Sequence, residues 1–312
     1  MDAKHAYLIM AHNDFTILEK QIKLLDDVRN DLYIHIDKKV ADFDFEYFQK
    51  CVTKSPIFFI DRLDVRWGDF SQIQCEMELL KAAVVGNYQY YHLLSGVDLP
   101  LKSNDEIHMF FHAHQGKEFV HFVSAEVPKK IKNRVLQYHF MHSGNILRQI
   151  GYLCEKIETV TKHSRKWDSD MAIQYGASWF SITHALAEYV ISMETWIYRY
   201  FRHTSCADEI FLQTIVYNSD FFQKLYYDNM DDNYVACMRC IDWTRGSPYV
   251  FRDEDFNMLI HSGRLFARKF STAVDDRIVA RIYEYIAAEN RKNNHQADSG
   301  FTSDFSSSIL AD

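Results

Sequence analysis

Apolar positions along the chain alternate between short unbroken runs and longer stretches where they recur every three or four residues. The run HAYLIMA, residues 5–11, is too short for a helix and reads as a buried strand. After the turn His12-Asn13-Asp14, residues Ile17, Leu18, Ile22, Leu24 and Leu25 take up helical spacing. DLYIHID, ending at Asp37, and SPIFFID read as two further strands. SQIQCEMELLKAAVV reads as a helix with Ser71 as its N-cap. YQYYHLLS is a fourth strand, closed by the turn GVDLPLKSNDEI. Strand and helix in alternation predict a parallel, doubly wound α/β sheet over roughly residues 4–125. Ligands of such sheets gather beyond the carboxyl ends of the strands, which puts His12, Asn13, Asp37, Arg66 and Asp98 near one rim.

The second half is less regular. VPKKIKNRVLQYHFMH is basic and aromatic, and RQIGYLCEKIETVTKHSRKW has a helical pattern. GASWFSIT, carrying Trp179 and Phe180, reads as a strand, and HALAEYVISMETWIYRYF as a helix. TSCADEIFLQTIVYNS opens polar and continues as a helix, while VACMRCIDW reads as a strand. RDEDFNMLIHSG is a short helix stopped at Gly263, and AVDDRIVARIYEYIAAENRK is the last helix. From Asn293 to the end the chain is polar and Ser-rich and reads as a tail.

With 312 residues and 47% hydrophobic content the chain can bury one large core or two intimate ones. Its net charge of −8 excludes a global positive field for nucleic acid or anionic lipid. No run approaches the ~20 apolar residues of a transmembrane helix, so the expected compartment is the cytoplasm. Six cysteines include one C-x-x-C, CMRC at 237–240, with no second pair at zinc spacing, and ordinary thiols are expected. The histidines form no H-x-x-x-H or H-E-x-x-H pattern. G-x-S-x-G, P-loop and G-x-G-x-x-G motifs are also missing from the sequence.

Three stretches carry candidate chemistry. In SCADEIF, Asp208 and Glu209 stand at a helix start, where acids cap and complement the dipole; Ser205 and Asp208 even have capping-box spacing. The alternative is a carboxylate turned into a cleft as a general base. In RLFARKF, Arg264, Arg268 and Lys269 sit among apolar residues. They form either a solvated cationic face or, with Arg245 of DWTRGSP, a phosphate clamp. A divalent ion needs several oxygen ligands, and the GVDLP turn has only Asp98. The acid pairs Asp42/Asp44, Asp168/Asp170 and Asp253/Asp255 keep a metal-dependent site open as the alternative, but a metal-free site is expected.

Taken together, AYLIMAHND, DLYIHIDKK, VRWGDFSQIQCEMELLKAA, YYHLLSGVDLPLKS, GASWFSIT, CADEIFLQTI and IDWTRGSP…SGRLFARKF resemble the core-2/I-branching enzyme family, in order, over about residues 5–271. That family holds β-1,6-N-acetylglucosaminyltransferases and peptide O-xylosyltransferases, and the RWG and DWTRG blocks are closer to the xylosyltransferase branch and its bacterial relatives. The resemblance implies a GT-A-like fold with a doubly wound mixed sheet, a UDP-sugar donor, a glycan acceptor, inversion at the anomeric carbon and no metal or other cofactor. It implies Glu209 as the catalytic base, Lys269, Arg268 and Arg245 as diphosphate ligands, and His12, Asn13, Asp37 and Arg66 at the nucleoside end. Asp98, Asp208, Trp179 and Trp243 are secondary candidates for sugar contacts. VPKKIKNR departs most from the family and falls where acceptor contacts are expected. The expected organisation is one domain over 1–292, with a nucleotide half to about 125, an acceptor half after it, and a tail over 293–312. A lipid-linked acceptor would bring the enzyme to the inner membrane face. A non-catalytic nucleotide- or glycan-binding protein on the same fold is the rival reading.

Overall fold

The computed structural model describes residues 3–139, 165–167 and 169–303, with side chains to residue 292. A five-stranded sheet runs in the order β3-β2-β1-β4-β6. Its strands are β1 (His5–Ala11), β2 (Asn30–Ile36), β3 (Ile57–Phe59), β4 (Tyr90–Ser95) and β6 (Ser181–Thr183). The first four are parallel, and β6 pairs antiparallel with β4. This is the mixed, helix-flanked α/β sheet that was expected.

The unbroken apolar runs follow from burial on both faces. Ala6 and Leu8 of β1 pack with Ile73, Leu79 and Leu80 of helix α3 (Ser71–Val84) on one side. Tyr7 and Ile9 pack on the other with Leu18 and Ile22 of α1 (Phe15–Leu24) and with Ile107 and Phe111 of α4 (Asn104–Ala113). Each such side chain contributes ~1.5–3 kcal/mol by leaving water.

A second, three-stranded sheet has the order β5-β8-β7, from β5 (Leu99–Pro100), β7 (Arg239–Ile241) and β8 (Phe266–Arg268). It is held by a third apolar cluster in which Leu99 and Ala267 meet Ile278, Val279 and Ile282 of the last helix. β8 is the FAR part of LFARKF, so Arg268 ends a strand anchored in the core and Lys269 follows directly after it.

Several local expectations are corrected. Ser71 is not the cap of α3 but its first residue, and its hydroxyl accepts from Arg66 N–H at 2.9 Å. Only three residues of VACMRCIDW are strand, because Tyr234–Cys237 form a 3-10 turn and Met238 is left-handed at φ 56°. The last helix runs from Asp276 to Ser303, well into the segment read as a tail. The helical stretch read over 148–167 lies outside the described residues except for its last three positions. No helix among the described residues is long and apolar enough to cross a membrane.

Candidate active site

A cleft of about 1000 Å³ opens beyond the carboxyl ends of β1, β2 and β4. His12, Asn13, Asp37, Trp179, Asp208, Glu209, Trp243, Arg268 and Lys269 all line it. They come from both halves of the chain.

Asp208 and Glu209 lie on a 3-10 turn, Ala207–Glu209, that starts from left-handed Cys206 (φ 46°). No side chain caps this turn, so the capping-box reading of Ser205 and Asp208 fails. Instead Asp208 Oδ2 accepts from Ser178 Oγ at 2.7 Å and from Gln72 Nε2 at 3.2 Å. Burial pushes its carboxyl up to about 6, and the neighbouring Glu209 charge adds to the rise. Glu76, one helical turn beyond Gln72, is also buried in the cleft wall, and burial first and Asp208 second raise it well above the carboxylate range. Glu209 is different. Its side chain is 39% exposed, and Oε2 meets Arg134 Nη1 at 2.7 Å. Arg134 stands on α5 (Lys129–Leu136), the helix made by the basic VPKKIKNR stretch. The Glu209 carbonyl is held by Gly176 N–H at 2.9 Å. A Cβ on Gly176 would sit 1.8 Å from the His121 carbonyl oxygen, so this close approach requires glycine.

A second group of lining residues is basic. The Arg268 guanidinium stacks 3.9 Å over the Trp179 ring, and its Nε lies 3.5 Å from Asp98. Burial lowers the pKa of Arg268, and Asp98 opposes that most strongly. Asp98 is itself held by Ser95, whose backbone N–H donates at 2.9 Å and whose hydroxyl donates at 2.5 Å. Lys269 has no ion-pair partner among the described residues and lines the cleft. His12 is pushed below its ordinary pKa, chiefly by burial, with Lys269 and Arg268 contributing against the pull of Asp37. Asp37 accepts from the Lys39 backbone N–H at 2.8 Å and from its ammonium at 2.9 Å.

Three expected residues stand off the cleft wall. Arg245 is gripped by Asp242 at 2.5 Å and Asp255 at 2.7 Å and stacks on Tyr249, so its charge is already answered. Arg66 is paired with Asp64 at 2.5 Å. Asp98 is buried beside Arg268 and supports it. Among the acid pairs, Asp44 caps a helix through Tyr47 N–H, Asp253 pairs with Arg281, and Asp255 holds Arg245. Asp168 lies outside the described residues. Trp179 lends a ring face to Arg268, which leaves Trp243, 51% exposed, as the more open aromatic of the two.

The model of the Core-2/I-Branching enzyme family matches residues 5–258. The chain belongs to that family. Core-2/I-Branching enzymes are glycosyltransferases. Xylosyltransferase sqv-6 of Caenorhabditis briggsae is 25% identical over 266 residues, covering 78% of this chain and 32% of that protein. Xylosyltransferase 1 of Rattus norvegicus is 21% identical over 306 residues, 90% of this chain and 35% of that one. Xylosyltransferase 2 of the same species is 22% identical over 299 residues, with 88% and 32% covered. The chain thus spans about a third of the length of the curated relatives it matches. The apo structure of mouse Xyloside xylosyltransferase 1 aligns over 85% of this chain and 96% of its own, at 9% identity and a TM-score of 0.34. An overlap at that level carries no argument.

Within this Core-2/I-Branching site, four contributors escape a reading by motif. Arg134 and Lys130 reach the cleft from α5, and Gln72 and Glu76 reach it from α3. The signals were the four-residue spacing of each pair, which puts both members on one helical face, and, for Lys130 and Arg134, the place of VPKKIKNR where acceptor contacts are expected. Trp67, 82% exposed in the cleft mouth, was visible only as part of the RWG block.

Proposed function

We propose that this chain is an inverting glycosyltransferase that moves a sugar from a UDP-sugar to a hydroxyl of a glycan acceptor without a bound metal ion. The observation that carries the reading is one cleft lined both by a solvent-reachable carboxylate, Glu209, and by Arg268 with Lys269. The relatives' names favour xylose over N-acetylglucosamine as the sugar.

In this mechanism the acceptor hydroxyl gives its proton to Glu209 while its oxygen forms a bond to the anomeric carbon. The bond from that carbon to the diphosphate oxygen breaks, and UDP leaves with the electron pair. General-base assistance of this kind supplies about 10²- to 10⁴-fold. Lys269 and Arg268 stabilise the charge that grows on the leaving diphosphate. Arg268 is carried by the end of an anchored strand with Lys269 directly after it, so little reorganisation accompanies departure. One displacement requires one base and no enzymic nucleophile, hence inversion. Arg134 neutralises Glu209 in the open cleft and has to yield when the acceptor enters. His12, Asn13 and Asp37 are the proposed nucleoside end, and Trp67 and Trp243 the aromatic rims for sugar rings. The acid pairs with described partners are spent on caps and ion pairs, which supports a metal-free clamp.

A thermal-shift panel of UDP-sugars, run in EDTA and in Mn²⁺, tests donor class and metal independence together. A ligand that binds the native state raises its apparent stability. The reading expects UDP-xylose or UDP-N-acetylglucosamine to raise Tm equally in both media. Stabilisation that disappears in EDTA and returns with Mn²⁺ would reject the metal-free clamp.

A further inference from the structure

The loop after β8 carries Lys269, and one side-chain contact ties that loop to the first strand–helix turn. The Asp14 carboxylate accepts two hydrogen bonds from Thr272, one from its backbone N–H and one from its hydroxyl, each 2.8 Å long. Asp14, Lys269 and Ser271 all line the cleft. The loop backbone is tied at its start, where the Lys269 carbonyl accepts from Phe251 N–H and Phe270 N–H donates to the Val97 carbonyl, both at 3.1 Å, and again where the Ser271 carbonyl accepts from Val274 N–H at 3.1 Å and Asp275 N–H at 3.0 Å. Beyond buried Phe270, Ser271 and Thr272 are half-buried, and Asp14 grips Thr272.

Asp14 forgoes its ordinary job to do this. It occupies the N-cap of α1, where an aspartate side chain normally accepts from the first-turn N–H groups. No such bond forms here, and the Asp14 backbone is left-handed at φ 49°. A residue other than glycine adopts that conformation at a cost, and such outliers persist where the surroundings require them. A forgone cap and a disfavoured backbone are both accounted for if the carboxylate serves the loop.

We propose that Asp14 is a positioning residue for donor binding: by holding Thr272 it keeps Lys269 on the cleft wall, where the diphosphate of a nucleotide donor is held. This rests on the reading of Lys269 as a diphosphate ligand. A purely structural latch would affect folding or all ligands alike. A positioning role predicts a loss confined to ligands that carry the diphosphate.

The test is calorimetric titration of UDP and of uridine into wild type, Asp14→Ala, Thr272→Val, Thr272→Ser, Lys269→Ala and the Asp14→Ala/Lys269→Ala double variant. Asp14→Ala is expected to weaken UDP about tenfold and Thr272→Val about threefold, the scale of a displaced charge-assisted contact. Thr272→Ser, which keeps the hydroxyl, should bind UDP as wild type does. Uridine affinity should stay within about twofold throughout, and the double variant should bind UDP no more weakly than Lys269→Ala, because coupled sites are not additive. If Asp14→Ala does not fold, the two Thr272 variants carry the comparison. Equal losses for UDP and uridine, or additive losses in the double variant, overturn the positioning role. So does an unchanged Asp14→Ala when Lys269→Ala is weakened, which leaves the clamp standing. An unchanged Lys269→Ala overturns the clamp and this proposal together.

Discussion

Two sets of charged side chains line the cleft, one basic and one acidic, and they are built in opposite ways. In the basic set Arg268 is fixed. Arg268 ends a strand, stacks on Trp179 and is backed by buried Asp98, which Ser95 holds in turn. In the acidic set two adjacent carboxylates have separate fates. The Asp208 carboxylate is buried and tied to Ser178 and Gln72, whereas the Glu209 carboxylate is partly exposed and paired with Arg134. The difference fits two tasks. Charges that stabilise a leaving group act best when already in place. A base that must meet an incoming hydroxyl needs access and a partner it can exchange.

Changes in each set should therefore fail in different ways. Lys269→Ala is expected to weaken UDP by about ten- to a hundredfold, the range for a hydrogen bond to a charged group; titration of UDP checks it, and an effect confined to turnover would move the clamp elsewhere. Next in size is Asp208→Asn. The native Asp208 carboxyl is raised to about 6, so the folded state holds that proton more tightly than the unfolded chain does. Its stabilising contribution is full below the unfolded pKa and is lost as pH rises through the folded one. Asn removes that loss, so the variant should be more stable than wild type above pH ~6, by on the order of 2 kcal/mol, with the gain gone below pH ~4. Denaturant melts across that range measure it; a gain that grows in acid would contradict the sign.

Trp179→Ala removes the ring beneath Arg268 and should weaken UDP about fivefold, the scale of a partly buried cation–π contact. The smallest change is expected at Arg245, already held by Asp242 and Asp255. Arg245→Ala should alter UDP affinity by less than about twofold, as an exposed ion pair remote from the ligand would. A loss like that of Lys269→Ala would return Arg245 to the clamp.

The contrast also explains what was legible in the sequence. β1, β2 and β4 are buried on both faces, so their apolar runs announce them, and the rim at His12, Asn13 and Asp37 follows from strand direction alone. The acceptor side has short strands and 3-10 turns, whose pairing depends on distant contacts such as Arg239 Nη1 to Ser181 Oγ at 2.9 Å. Local spacing leaves Asp208 and Glu209 as a helix cap, and only the ordered family blocks single out Glu209. Arg245 stands off the cleft because Asp242, three residues earlier, and Asp255 hold it, and a cation beside a turn looks available until such partners are known.

The most direct test is the release of UDP from UDP-xylose and UDP-N-acetylglucosamine in EDTA, with water as acceptor, by wild type and Glu209→Gln. The account predicts slow release by wild type and at least about a hundredfold less by the variant, with UDP affinity and melting behaviour unchanged. Equal rates from a folded Glu209→Gln protein would contradict it and put the base elsewhere.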